Sequence, residues 1–202
     1  MKLSREFYLN HNVNQVAQAL LGKVLVTRIN GKITSGIISE TEAYAGVTDK
    51  ASHAYGGRLT RRTETMYQIG GTAYIYLCYG IHSLFNVVTA REGIPHAVLI
   101  RSVIPYQGIE QMMRRRSLAS PGYQGFTGPG KVAEALGLHF SMSGTDLTGN
   151  KIWLEDEQIK VPSESISASP RIGIAYAAEH ALFPWRYQIE NIDNFTEWKF
   201  LK

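Results

Sequence analysis

Chemically useful side chains crowd into one stretch of the chain, from Ile37 to Asn86. It opens with Glu40-Thr41-Glu42-Ala43-Tyr44 and continues through His53 with the cations Lys50, Arg58, Arg61 and Arg62. It closes with Tyr74-Ile75-Tyr76, Tyr79-Gly80 and Asn86. A carboxylate can take a proton from water, and aromatic rings can stack on a flat ligand. Side chains alternate faces along a strand. Glu40, Glu42 and Tyr44 therefore share one side of an extended segment, as do Tyr74 and Tyr76. Tyrosine favours strands in any case, so an ordinary tyrosine-rich sheet face accounts for the pattern at least as well. Further along, Arg101 is an isolated cation inside the apolar run Val98 to Ile104. A buried arginine needs an anionic partner, and a nearby carboxylate would supply one.

These groups need elements to hold them. Val13, Val16, Ala17, Leu20 and Leu21 form one apolar face, which predicts a helix over 12–21 with Gly22 at its C-terminal cap. Residues 23–29 and 32–44 read as strands, joined by the two-residue hairpin signal Asn30-Gly31. Glu42 and Tyr44 then lie near the end of a hairpin strand, a rigid place from which to present groups. Residues 45–57 read as a loop, from which His53 can fold back over the same surface, and 61–68 as a short helix. A strand over 72–79 is followed by an antiparallel pair, 84–89 and 97–104, turning through Arg91-Glu92-Gly93. Helices are expected over 108–118 and 131–136, with the Ser-, Gly- and Pro-rich loop 117–130 between them. Strands are expected over 151–155 and 171–176, and the aromatic tail through Trp198 is expected to pack on the sheet. The sum is a mixed α+β fold in one domain, 1–202.

A chain of 202 residues can bury roughly 70% of its unfolded surface. With 44% hydrophobic and 19% charged residues it has an ordinary globular balance. A net charge of +4 only permits an anionic partner; the arginine runs 58–62 and 114–116 say more. A single cysteine, Cys78, excludes an internal disulfide framework and a cysteine metal cluster, and its apolar strand marks it as a small core residue. The six histidines have no metal-ligand spacing, so neither metal nor other cofactor is expected. No run approaches the ~18 apolar residues of a membrane span, and the N-terminus lacks a signal-peptide pattern. A cytoplasmic protein without membrane contact is the economical reading.

The ordered pieces resemble the alkyladenine (3-methyladenine) DNA glycosylase family of base-excision repair. They are Glu40-Thr41-Glu42-Ala43-Tyr44, Ser52-His53, Gly56-Gly57-Arg58, Gly71 to Tyr76, Tyr79-Gly80, Asn86, Val98 to Arg101, Gly128-Pro129-Gly130-Lys131 and Arg171-Ile172-Gly173-Ile174. The resemblance implies a curved, mostly antiparallel sheet surrounded by helices. It implies a monomer acting on double-stranded DNA that contains damaged purines. The target base leaves the duplex and its N-glycosidic bond is hydrolysed. By the same resemblance Glu42 is the general base for water, with Arg101 and the Ile172 carbonyl holding that water. Tyr44, His53 and Tyr76 form the base pocket, Asn86 clashes with the 2-amino group of guanine, and Tyr79 is the wedge that enters the duplex. The implied substrates are 3-methyladenine and 7-methylguanine, with hypoxanthine and ethenoadenine as further candidates. No residue of that pocket is a lysine, so no Schiff base to the sugar and no strand cleavage are expected.

Phosphate contacts are expected from Arg116, by its spacing, and from Lys131, beside a Gly-rich helix N-terminus that is not a Walker A loop. Two other classes fit parts of the pattern. Glu40 and Glu42 would be about 7 Å apart, within the range of a glycosidase carboxylate pair. The basic and aromatic patches would also serve a non-catalytic nucleic-acid binding module.

Overall fold

A computed structural model describes residues 1–192 of the chain. Its helices are α1 (Arg5–Tyr8), α2 (Val13–Ala19), α3 (Ile109–Arg116) and α4 (Pro129–Leu136). Its strands are β1 (Val24–Ile29), β2 (Lys32–Tyr44), β3 (Ala73–Cys78), β4 (His82–Thr89), β5 (His96–Gln107), β6 (Ile152–Glu155), β7 (Ile166–Ser169) and β8 (Arg186–Ile189). All strand pairs are antiparallel, in the order β3-β4-β5-β2-β1-β6, with β8 also on β2 and β7 on β8. The architecture is the expected α+β one.

The long strand β2 sets the layout. Asn30 and Gly31 both take positive φ, 50° and 73°, as the two-residue hairpin turn requires, and Ile29 pairs with Lys32. One edge of β2 pairs with β5 along nearly its whole length. The other edge is divided: β1 pairs as far as Ile37, and β8 takes over from Glu40 to Glu42. Register shifts against β5 fall between Ile38 and Glu40 and between Glu40 and Thr41. Bulges of this kind bend a strand and re-aim its side chains. They fall on the segment that carries the two glutamates.

Helices α2 and α4 bury Val13, Val16, Ala17, Val132, Ala133, Ala135 and Leu136 in one core with Ile38, Phe85, Val87 and Ile100 of the sheet. Each large apolar side chain fully buried there contributes about 1.5–3 kcal/mol. Asn12 caps α2, its side chain accepting from the N–H groups of Asn14 and Gln15. Thr41 Oγ1 donates to the Ala17 carbonyl at 2.9 Å and ties that helix to β2.

Several expectations need correction. The segment 171–176 is not a strand: Gly173 has φ +76° and a 3-10 helix begins at Ala175. Its apolar alternation comes from a turn anchored by Arg171, described below. The short strands β7 and β8 lie in a region where no strand was expected, and four-residue edges carry too little periodicity to be read. Cys78 is not a core residue; it ends β3, half-buried, and lines the main cavity. The stretch 61–68 holds only a 3-10 turn, Glu64–Tyr67. Trp198 lies outside the described residues. Among the described residues no helix is long and apolar enough to cross a membrane.

Gly36 marks a close approach of β2 to β5. A Cβ there would stand 2.7 Å from both Cβ and Cγ2 of Val103. Gly36→Ala is expected to cost about 1–3 kcal/mol as overpacking. Urea unfolding measures this; an unchanged midpoint would mean that the two strands can part freely.

Candidate active site

Glu42 is wholly buried, at 0% exposure. Its Oε1 accepts the Ile172 N–H at 2.8 Å, its Oε2 accepts the Tyr44 hydroxyl at 2.7 Å, and Arg101 Nη1 stands 3.4 Å from Oε1. Arg101 turns its Nε to Glu40 at 3.1 Å. Glu40 also accepts from Ser102 Oγ at 2.6 Å and from Arg186 Nη1 at 2.8 Å. Burial would raise the Glu40 pKa, but the donors of Ser102, Arg186 and Arg101 outweigh it and hold the carboxyl below its ordinary value. The guanidinium of Arg101 thus stands between two carboxylates presented by one face of β2, as the alternation along the strand predicts.

The two glutamates do not share a pocket. Glu42 lies in a cavity of about 790 Å³, where it is the only carboxylate among the described residues. Glu40 lines an adjoining cavity of about 480 Å³ that shares Arg101, Gly128 and Ile172 with the first, and its own oxygens are taken by Arg101, Ser102 and Arg186. A glycosidase-type carboxylate pair needs both groups at one substrate bond, so this division removes the support for that alternative.

Tyr44, His53, Tyr74, Tyr76 and Asn86 line the larger cavity with Glu42. His53 Nδ1 is 2.8 Å from the Tyr74 hydroxyl, and its ring meets Tyr76 edge-on at 4.7 Å. Burial, then the charges of Arg62 and Arg58, push the His53 pKa down to about 4, so the ring is neutral at pH 7. Burial, then the neighbouring Glu42 carboxylate, hold the Tyr44 phenol well above its usual value, so it remains a donor. Asn86 is fixed by its amide, which donates to the carbonyls of Tyr74 at 3.1 Å and Leu84 at 3.3 Å.

Support comes from a buried ion pair. Arg171 binds Asp49 through two nitrogens and also donates to the carbonyls of Ala43 and His180. Its guanidinium lies 4.8 Å from the centroid of Tyr44 and 5.1 Å from that of Trp185. Burial works against the Asp49 carboxylate, but the bonds and charge of Arg171 with the N–H groups of Ala51 and Ala45 hold its pKa low. The pair fixes the turn whose next residue, Ile172, gives its N–H to Glu42.

At the mouth, β3 and β4 close through Tyr79-Gly80, with φ of +51° and +73° and Ile81 N–H donating to the Cys78 carbonyl. Both signs are those of a tight primed hairpin turn. A tyrosine held at positive φ is strained by roughly 1–3 kcal/mol. Tyr79 is also 90% exposed, so its ring cannot be a core ring closing the sheet.

The family model for methylpurine-DNA glycosylase matches residues 6–193. A protein of Chlamydia felis named "Putative 3-methyladenine DNA glycosylase" is 49% identical over 186 residues, covering 92% of this chain and 94% of its own. Relatives carrying the same name in Desulfitobacterium hafniense and Bacillus cytotoxicus are 45% and 42% identical, each over at least 94% of both chains. The chain belongs to the methylpurine-DNA glycosylase family.

Within this family member, Glu42, Arg101, Ile172, Tyr44, His53, Tyr76, Asn86 and Tyr79 all line one cavity. The Ile172 N–H itself binds Glu42, a contact beyond the water-holding expected of its carbonyl. Arg116 and Lys131 also border the cavity, but both are engaged: Arg116 with Glu134 and the Gly125 carbonyl, Lys131 with the Gln124 carbonyl at 3.1 Å. Lys131 borders the cavity without being one of the residues expected to hold the base. Among the described residues no group of three His, Cys, Asp or Glu could hold a metal ion. Sequence reading missed Asp49, and it named Tyr74 and Arg62 within the motif stretch without giving them a place in the site. Asp49 is 122 residues from Arg171, and nothing in its local sequence signals the pairing.

His53 supplies a pH test. Its folded pKa lies below the ordinary 6.5, so the unfolded chain binds the proton first. Stability is therefore expected to fall as pH drops from about 6.5 to about 4 and to level below that. Subtracting the melting profile of His53→Asn from that of the wild type isolates this slope; parallel profiles would show that the ring titrates normally.

Proposed function

We propose that this single-domain protein is a monofunctional DNA-3-methyladenine glycosylase, acting as a monomer on duplex DNA. The observation that carries this reading is Glu42, a buried carboxylate alone at the floor of a cavity walled by tyrosines. The family and the names of the relatives support it.

A flipped purine enters between Tyr44 and the pair Tyr76 and His53. Alkylation at N3 or N7 leaves the ring electron-poor or cationic, and tyrosine faces attract it by roughly 0.5–2 kcal/mol per contact. Glu42 takes a proton from water, whose oxygen bonds to C1′ of the sugar. The C1′–N bond breaks and its electron pair leaves with the base, which neutralises a cationic purine. The products are an abasic sugar and free base. Arg101 and the Ile172 backbone hold Glu42 and the water in line. Neutral His53 is a wall, since its low pKa leaves no proton to give at pH 7. Cationic 3-methyladenine is the favoured substrate, because it needs no acid to depart; 7-methylguanine shares that advantage but carries a 2-amino group, and hypoxanthine and ethenoadenine gain less. Asn86, fixed by two carbonyls, disfavours the 2-amino group of guanine by its bulk. Tyr79 fills the gap in the stack. Arg116 and Lys131 at the cavity edge reach the phosphates by exchanging their present partners, Glu134 and the Gln124 carbonyl.

Glu42→Gln is expected to slow release of 3-methyladenine from alkylated duplex by at least ~100-fold while lesion binding persists. Chromatography of released base measures the first and a mobility shift the second. Near wild-type release would remove Glu42 as the base. Tyr79→Ala is expected to lower excision from duplex far more than from single strands, with a melting temperature almost unchanged. Equal losses on both substrates would rule out the wedge.

A further inference from the structure

Arg62 is exposed and has no carboxylate partner among the described residues. Such an arginine would normally extend into water. Here its guanidinium lies 4.8 Å from the centroid of Tyr76, and Nη2 is 3.4 Å from His53 Nε2. Arg62, Tyr76 and His53 line one cavity with Glu42 and Tyr44. A guanidinium therefore lies over Tyr76, one wall of the base pocket, on a ring that a base would also use.

The loop beneath it is pinned. Thr60 N–H donates to Thr63 Oγ1 at 2.9 Å, and that hydroxyl donates to the Arg58 carbonyl at 2.9 Å. The side chain can leave without moving its backbone. Arg58 and Arg61 beside it are exposed cations on the same loop, so an approaching phosphate backbone meets concentrated positive charge. A charge-assisted bond to phosphate is stronger than a cation–π contact at an exposed site.

We propose that Arg62 is a resident plug of the base pocket, drawn off Tyr76 by the phosphates of bound DNA. The pocket then opens to a base delivered on DNA and stays covered against free purine bases, the released product included. This deepens the glycosylase reading and rests on its base pocket. It makes Arg62 a specificity determinant that discriminates between attached and free forms of one ligand. A guanidinium on the ring and a base on the ring exclude each other, so a free base must displace the plug unaided, while DNA brings the phosphates that hold the displaced side chain.

The test compares wild type, Arg62→Ala and Arg62→Lys. Equilibrium dialysis with radiolabelled free 3-methyladenine reads the pocket without any need for turnover. Arg62→Ala is expected to bind free base roughly two- to fivefold tighter than wild type, the equivalent of losing an exposed cation–π contact. For lesion-containing duplex, its slope of log affinity against log salt is expected to be shallower by about 1. Arg62→Lys keeps a charge for phosphate but stacks less well, so it should retain the wild-type slope and fall between the two in free-base affinity. Free-base affinity that is unchanged or weaker in Arg62→Ala, or an unchanged salt slope, overturns the plug. Base release by the wild-type protein is assayed separately: its absence would overturn the glycosylase reading, and the dialysis result would still decide whether Arg62 covers the pocket.

Discussion

A carboxylate taken out of water must be surrounded by donors, and this requirement binds the fold to the site. Glu42 has no exposure, and it is held by a backbone N–H, a tyrosine hydroxyl and a guanidinium. Those donors come from the 171–173 turn, from β2 itself and from β5. Glu40 needs its own set, from β5 and β8. Stripping one partner from a buried ion pair costs about 3–5 kcal/mol, a large part of a domain's whole stability. The register of β2 against β5 and β8 is therefore not free to slip: a one-residue shift would turn both carboxylates into the apolar core.

The same logic repeats one layer out. Arg171 and Asp49 are both buried and bind each other, and their pairing decides where the 171–173 turn passes. Gly173 lets that turn take a positive φ, and the Arg171 guanidinium lies over Tyr44, 4.8 Å from the ring centroid. A stacked guanidinium limits the movement of a ring better than apolar packing alone, because its hydrogen bonds fix its plane. Tyr44 is thereby immobilised twice, by Arg171 on its face and by Glu42 at its hydroxyl. The cost of burying these charges serves geometry at the cavity wall.

What the sequence made legible was local. Asn30-Gly31 announced the hairpin, the apolar face 13–21 announced α2, and the alternation of β2 put Glu40 and Glu42 on one side. Arg101, conspicuous as a charge in an apolar run, did have its carboxylates. Non-local facts were not legible. Asp49 reads as any polar loop residue until Arg171 is folded against it. β8 is four residues long, and its place beside Glu40 follows from β1 ending where it does. The run 171–176 alternates apolar residues like a strand, but burial falls on every third residue, Arg171, Ile174 and Ala177, while Ile172 and Tyr176 are exposed, and the sequence alone does not separate the two.

Arginines that look alike in the chain are sorted by what lies within reach of them. Arg115, in the middle of a basic run at the end of α3, donates to Thr34 Oγ1 at 3.0 Å and to the Ala135 carbonyl at 2.8 Å, and so joins α3 to β2 and α4. Burial pushes its pKa below the ordinary value, though a guanidinium has so much margin that it remains charged. Arg116 is committed to Glu134, whereas Arg114 reaches only Gln111 at 3.3 Å and stays exposed. Three adjacent charges thus divide into a strut, an ion pair and a solvated cation, so a count of the run overstates what it can offer to DNA. Arg62 falls outside all three cases: with no carboxylate among the described residues, it rests on Tyr76 and contacts His53 at 3.4 Å, a hold weak enough to be exchanged. A side chain that must move on binding has to be held in that way, by a contact strong enough to be populated and weaker than the one that replaces it.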